Sequence, residues 1–169
     1  MAGYKLLIIG ETGRGKTRLL VSLVELVRAL GVPTTVIDLA PEKAGVGAKV
    51  ARYIDVSGLV YLTADFRAPR LEGKDAAEEL ALAKENAEKA RSLFAKYLSS
   101  PTPFLAVNDL TIFLHAGDLE EALDLAESAK AFVATAYYGE LLRDKGSGIL
   151  ERERRAVEEL ARRWPTIRL

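Results

Sequence analysis

The sequence predicts a three-layer α/β/α domain built on a mainly parallel sheet of five or six strands, and three observations lead to it. Strand-like and helix-like segments alternate from end to end, the pattern of strands joined by crossover helices. The run Gly10-Glu11-Thr12-Gly13-Arg14-Gly15-Lys16-Thr17 separates a short apolar segment from a long amphipathic one. At 169 residues the chain is long enough to bury a substantial core as one domain, 1–169, without disulfide staples.

Residues 4–9 are apolar and form the first strand. After the glycine-rich turn, Leu19, Leu20, Leu23, Val24, Val27 and Leu30 recur at helical spacing until Gly31 and Pro33 stop the helix. Residues 34–39, rich in β-branched side chains, are the second strand. Residues 41–49 contain Gly45 and Gly47 and are expected to form a mobile loop leading to a short helix near Val50. The third strand is 59–63, and a loop carrying Arg67, Pro69, Arg70 and Gly73 follows it. A long helix then runs over about 75–98, with Ala76, Leu80, Ala83, Ala87, Ala90, Phe94 and Tyr97 as its expected buried stripe. Pro101 and Pro103 end it before the fourth strand at 104–107. Asp118 and Glu121 have the spacing of a capping box for a helix at 119–130. The fifth strand is 131–136, followed by a glycine-serine loop at 146–148, a helix at about 150–163 and a short last strand at 166–169.

The motif G-x-x-x-x-G-K-[ST] between a strand and a helix makes this a P-loop NTPase fold with one nucleotide-binding domain. Glycines let the backbone wrap an anion with successive N–H groups pointing inward, and the following helix adds its positive end. The expected phosphate contacts are Gly10, Glu11, Thr12, Gly13, Arg14, Gly15, Lys16, Thr17 and Arg18. Lys16, exposed in an empty loop, is placed to reach the β- and γ-phosphates, and the Thr17 hydroxyl to ligate Mg²⁺. ATP is the default nucleotide because no N-K-x-D guanine signature occurs.

Strands of a parallel sheet end on one edge, so the loops after them meet where doubly wound proteins bind ligands. Asp109, just past the fourth strand, is the candidate second carboxylate for Mg²⁺. Leu110 follows it where many vigorous ATPases carry a water-activating carboxylate, which makes fast hydrolysis an improbable main task. Asp38 ends the second strand and is a candidate for contact with magnesium, for taking a proton from a second substrate, or for capping a loop. Arg14 suits either a bidentate γ-phosphate contact or solvent; with Lys16 and Asp38 it completes the candidate catalytic set. Arg67, Arg70 and Lys74 form a basic cluster suited to an anionic acceptor or to solvent. His115, the only histidine, follows Phe113 and Leu114 and fits a packing role better than that of a base. Tyr137 and Tyr138 suit core packing or stacking on a ring, and 151–155 is a charged helix face.

Acidic and basic residues balance at 24 each, so no overall field draws the chain to nucleic acid or an acidic membrane. No apolar run reaches the roughly 18 residues of a membrane span, and the first strand begins almost at once; both point to a cytoplasmic protein. The absence of Cys excludes disulfides and thiolate chemistry. With no Gln, two Asn, one Met and more Arg than Lys, the composition fits a thermophile.

The order of phosphate loop, Asp109 strand, the segment Leu114-His115-Ala116-Gly117-Asp118-Leu119-Glu120-Glu121-Ala122-Leu123 and fifth strand resembles the ATP:corrinoid adenosyltransferases. That resemblance implies transfer of the adenosyl group of ATP to reduced cobalt. Within it, Arg14 replaces a usual lysine, Asn108-Asp109-Leu110 an expected Asp-Glu pair, and Asp38-Leu39-Ala40-Pro41-Glu42 a Gln-Phe segment. Three functions follow: a Mg-ATP-dependent transferase moving an adenosyl or phosphoryl group to a small, anionic acceptor; a slow NTPase acting as a switch for a protein partner; and a polynucleotide kinase, against which the absence of a basic stripe argues. The second substrate, or a partner, is expected over 38–49 and 65–74.

Overall fold

The computed structural model describes residues 3–43 and 45–169. Its six strands form one sheet in the order β3-β2-β4-β5-β1-β6, and every registered pair is parallel. The strands are β1 (Tyr4–Gly10), β2 (Thr34–Asp38), β3 (Val60–Thr63), β4 (Phe104–Asn108), β5 (Ala131–Tyr137) and β6 (Thr166–Arg168). The helices are α1 (Lys16–Ala29), α2 (Pro69–Glu72), α3 (Ala76–Ser99), α4 (Thr111–Leu114), α5 (Leu119–Glu127) and α6 (Ile149–Arg163), with a 3₁₀ turn at Val50–Arg52.

Alternation along each strand makes the layers. Leu7 and Ile9 face one core with Ile37, Leu105, Val107 and Phe132, which α3, α4, α5 and α6 cover. Ile8 faces the other with Val36, Ala106 and Val133, under Leu20, Val21 and Val24 of α1. A sheet buried on both faces needs near-continuous apolar strands, and β2 and β4 are buried at every position.

Sequence periodicity erred where tertiary packing overrides it. Leu30 and Leu80 are exposed, whereas Leu82 and Leu93 take the core positions of α3. Glu79 and Asn86 are also fully buried on α3, because each serves a loop: Asn86 holds both backbone groups of Arg67 at 2.8 Å, and Glu79 accepts the Ser147 hydroxyl at 2.6 Å and the Lys145 N–H at 3.1 Å. The short helix α2 lies in the segment expected as loop, α4 is a further short helix after β4, and α5 ends at Glu127 rather than at residue 130. The Glu121 carboxylate accepts the Asp118 N–H at 3.3 Å, as the capping-box spacing implies. No helix among the described residues is long and apolar enough to cross a membrane.

Candidate functional site

The loop after β1 is shaped by its glycines. Gly13 and Gly15 have φ of 74° and 92°, and a Cβ on either would meet nothing within 4 Å; the left-handed backbone, not crowding, requires glycine there. In that conformation the N–H groups of Gly13, Arg14 and Gly15 meet no protein acceptor among the described residues. They lie at the N-terminus of α1, whose N-cap is Gly15 itself, so unsatisfied donors and helix end form an anion nest.

Lys16 is not the freely exposed lysine expected from the motif. Its Nζ donates to the Glu11 carbonyl at 2.6 Å and lies 6.0 Å from the centre of the Tyr137 ring. Burial pushes its pKa down, against the pull of Asp109 and Glu11. Glu11 is also a tether. Its carboxylate accepts the N–H of Glu140 at 2.8 Å, of Leu141 at 3.2 Å and of Thr12 at 3.1 Å, joining the phosphate loop to the segment after β5. Burial raises its pKa, but the Tyr137 hydroxyl and those backbone donors outweigh it and hold the group at about 2.

The residue that meets Thr17 is Asn108, not Asp109. Thr17 Oγ1 donates to Asn108 Oδ1 at 3.2 Å, and Thr135 Oγ1 donates to the same oxygen at 2.9 Å. Asn108 Nδ2 in turn donates to Asp38 Oδ1 and to the Ala48 carbonyl, both at 2.9 Å. Asp38 is fully buried and accepts three further donors: Val50 N–H at 2.6 Å, the Tyr61 hydroxyl at 2.6 Å and Ala40 N–H at 3.3 Å. Its lone pairs are committed to fastening the loop after β2, so the carboxylate organises rather than offers itself to a substrate. The expected mobile segment is tied down in this way at 38 and 50, and Glu42 accepts Lys49 N–H at 2.9 Å; residue 44 lies outside the described residues.

Asp109 sits one residue beyond, at φ 60°, a left-handed conformation that costs a non-glycine residue roughly 1–3 kcal/mol and tends to accompany function. Its N–H donates to Thr135 Oγ1 at 2.8 Å, and its carboxylate accepts Thr111 Oγ1 at 3.0 Å. Burial raises its pKa, partly offset by Lys16. Thr17 and Asp109 line one pocket without touching through hydrogen bonds. Among the described residues no group of three or more His, Cys, Asp or Glu side chains is arranged to hold a metal unaided; a Mg²⁺ here needs phosphate oxygens to complete its shell.

The pocket holds about 450 Å³ and is lined by the loops after β1, β2, β4 and β5 together with Arg70 of α2, as a parallel sheet's shared rim requires. Its inner wall is the part that sequence reasoning missed. The expected basic cluster separates: Arg67 Nε pairs with Glu72 at 2.8 Å, Lys74 is exposed, and only Arg70 turns inward, over Tyr137 at 5.2 Å. There it pairs with Glu153, which belongs to the run expected as a charged solvent face yet is 1% exposed. His115 is bound to the same carboxylate at 2.7 Å and lines the pocket. The available signal was that α6 carries Ile149, Val157 and Leu160 on the face that includes Glu153. Tyr138 lies elsewhere, with its ring under Arg168 at 5.0 Å and its hydroxyl on Glu158 at 2.9 Å. Arg14 is exposed beside the pocket, and Arg18 stacks over Tyr53 at 5.1 Å.

No family model matches the sequence, and no curated protein sequence matches it. Among solved structures, the chain is similar to the flagellar accessory protein FlaH from Methanocaldococcus jannaschii, with a TM-score of 0.50 at 13% identity over 92% of this chain and 68% of that one. At that identity the likeness concerns the fold alone, a three-layer α/β/α arrangement on an all-parallel six-stranded sheet.

Proposed function

We propose that this chain binds Mg-ATP and transfers the γ-phosphoryl group to a small acceptor held at the inner wall of the pocket. The observation that carries the reading is the nest of unpaired N–H donors at 13–15 on the N-terminus of α1, with Lys16 beside it. Such a site has an unmet need for an anion, and a polyphosphate has the charge and reach to meet it. Lys16 would leave the Glu11 carbonyl for phosphate oxygens. Thr17 and Asp109 would hold Mg²⁺, which neutralises charge on the phosphates when bound. The apolar and aromatic surface of Ile112 and Tyr137 next to Arg70 supports an acceptor that is small and carries both a ring or chain and polar groups.

Adenosyl transfer to a corrinoid is the less supported chemistry, since the segments after β2 and β4 depart from that family's motifs. A second reading, a slow nucleotide-dependent switch, rests on Glu11. Because its backbone carbonyl holds Lys16 and its carboxylate holds 140 and 141, moving Lys16 onto a phosphate would disturb the segment after β5. Product analysis distinguishes them. ADP with a phosphorylated acceptor supports phosphoryl transfer, free triphosphate supports adenosyl transfer, and slow ADP release with altered exchange at 139–142 supports the switch.

A further inference from the structure

His115 closes α4 at the pocket wall. Its Nε2 lies 2.7 Å from Glu153 Oε2. Arg70 holds both oxygens of that carboxylate, Nη2 on Oε2 at 3.2 Å and Nη1 on Oε1. All three side chains are buried, at 2%, 1% and 8% exposure for His115, Glu153 and Arg70. A carboxylate clamped by a guanidinium is an acceptor, so Nε2 carries the hydrogen, and in the neutral ring Nδ1 then carries a lone pair. That nitrogen has no partner among the described residues. A buried acceptor left unpaired is costly, and one at a pocket wall calls for an explanation.

The surroundings supply one. Lys16 and Arg70 approach the same Tyr137 ring, at 6.0 and 5.2 Å. Asp109, between β4 and α4, lies within the electrostatic reach of Lys16, His115 and Glu153 together. His115 lines the same pocket as Asp109 and as Gly13 to Lys16 of the phosphate loop, so its unpartnered nitrogen belongs to a wall of the cavity that the terminal phosphate of a bound nucleotide would enter.

We propose that His115 is the general base for the hydroxyl that attacks the γ-phosphorus of ATP, with Glu153 and Arg70 as positioning residues, so that the acceptor is an alcohol-bearing small molecule. This rests on the Mg-ATP reading above. The nucleophile's O–H bond breaks and its proton passes to Nδ1, while its electron pair forms the new O–P bond. The bond from phosphorus to the bridging oxygen breaks, and ADP leaves with that pair. The imidazolium is stabilised against Glu153 until the proton returns to solvent with product release. A reduced cobalt nucleophile carries no proton and would leave this base without a task. The pair stands in for the carboxylate that Leu110 denies the site.

The test uses the whole chain with Mg-ATP, water serving as nucleophile, in a phosphate-release assay. His115→Ala should lower turnover about 10²-fold or more while a fluorescent ATP analogue binds within about twofold of the parent, and added imidazole should restore part of the rate through the vacated space. Because the chain has a single histidine, ¹⁵N-histidine NMR of the unmutated protein gives an independent reading. Hydrogen on Nε2 with an Nδ1 signal that moves on adding a non-hydrolysable Mg-ATP analogue is expected, and Glu153→Gln should weaken that tautomer preference with nucleotide affinity kept. Unchanged turnover in His115→Ala, loss of rate together with affinity and no imidazole rescue, hydrogen on Nδ1, or an Mg-ATP-binding parent that releases no phosphate would each overturn the proposal. A parent that binds no Mg-ATP would overturn the nucleotide reading itself, which separates the two failures.

Discussion

Replacing Asp38 separates a structural carboxylate from a catalytic one, and the structure sets the size of the effect. Four donors converge on it: Val50 N–H, Tyr61 O–H, Asn108 Nδ2–H and Ala40 N–H. Asp38→Ala removes all four bonds. Tyr61 is half-buried and can turn to water, and Asn108 keeps the Ala48 carbonyl, but the N–H groups of the fully buried Val50 and Ala40 are both orphaned. At about 1–3 kcal/mol for each donor left buried without an acceptor, a loss of about 4 kcal/mol follows for alanine and about 2 kcal/mol for Asp38→Asn, which keeps one oxygen. With a urea slope of about 2 kcal/mol/M, these are falls in midpoint of about 2 M and 1 M. The assay is urea unfolding followed by far-UV circular dichroism, with nucleotide affinity measured on the folded protein. A midpoint within about 0.3 M of the parent for Asp38→Ala, with activity abolished, would refute the reasoning and return Asp38 to the chemistry.

Glu11 gives a pH prediction. Its carboxyl, normally near 4.5, is held at about 2 in the fold, so the stability it contributes is complete above pH 4.5 and fades as pH falls towards 2; hydrogen exchange at 139–142 should accelerate over that window, and Glu11→Gln should abolish the dependence. Asp109→Asn should weaken ATP binding more with Mg²⁺ than without it, by about tenfold on titration calorimetry, because it removes a charge from the ion's shell; equal losses would assign Asp109 to structure. Asn108→Asp should destabilise the apo protein by several degrees in a thermal melt, since it would set a second carboxylate where Asn108 Nδ2 now lies 2.9 Å from Asp38 Oδ1; an unchanged melt would mean that the pair does not share charge.

The fold was legible because β strands flanked by glycines and a phosphate-loop motif are local signals. Strand positions agree within one residue at every end, since apolar runs such as Leu105 to Val107 have no other use than a sheet buried on both faces. The inner wall was not legible. Glu153, Arg70 and His115 come from three elements, and only packing of α6 on α4 reveals that a glutamate in the run 151–155 turns inward. Asn108 escaped for a related reason: its partner Asp38 is 70 residues away, so the sequence offered a carboxylate one position later as the obvious candidate. Glu79 and Asn86 hid in the same way on α3, where a helical count sees polar residues and the structure sees supports for distant loops.

The central claim, that the nest at 13–15 and Lys16 bind a nucleoside triphosphate, is tested most directly by titrating a fluorescent ATP analogue into the parent and Lys16→Ala in the presence of Mg²⁺. The account predicts saturable one-site binding displaced by unlabelled ATP, weakened about 10- to 100-fold by Lys16→Ala at the roughly 1.5–3 kcal/mol of a charge-assisted contact, with the melting temperature of the variant near that of the parent. Absence of displaceable binding in the parent, or equal affinity in the folded variant, would contradict it.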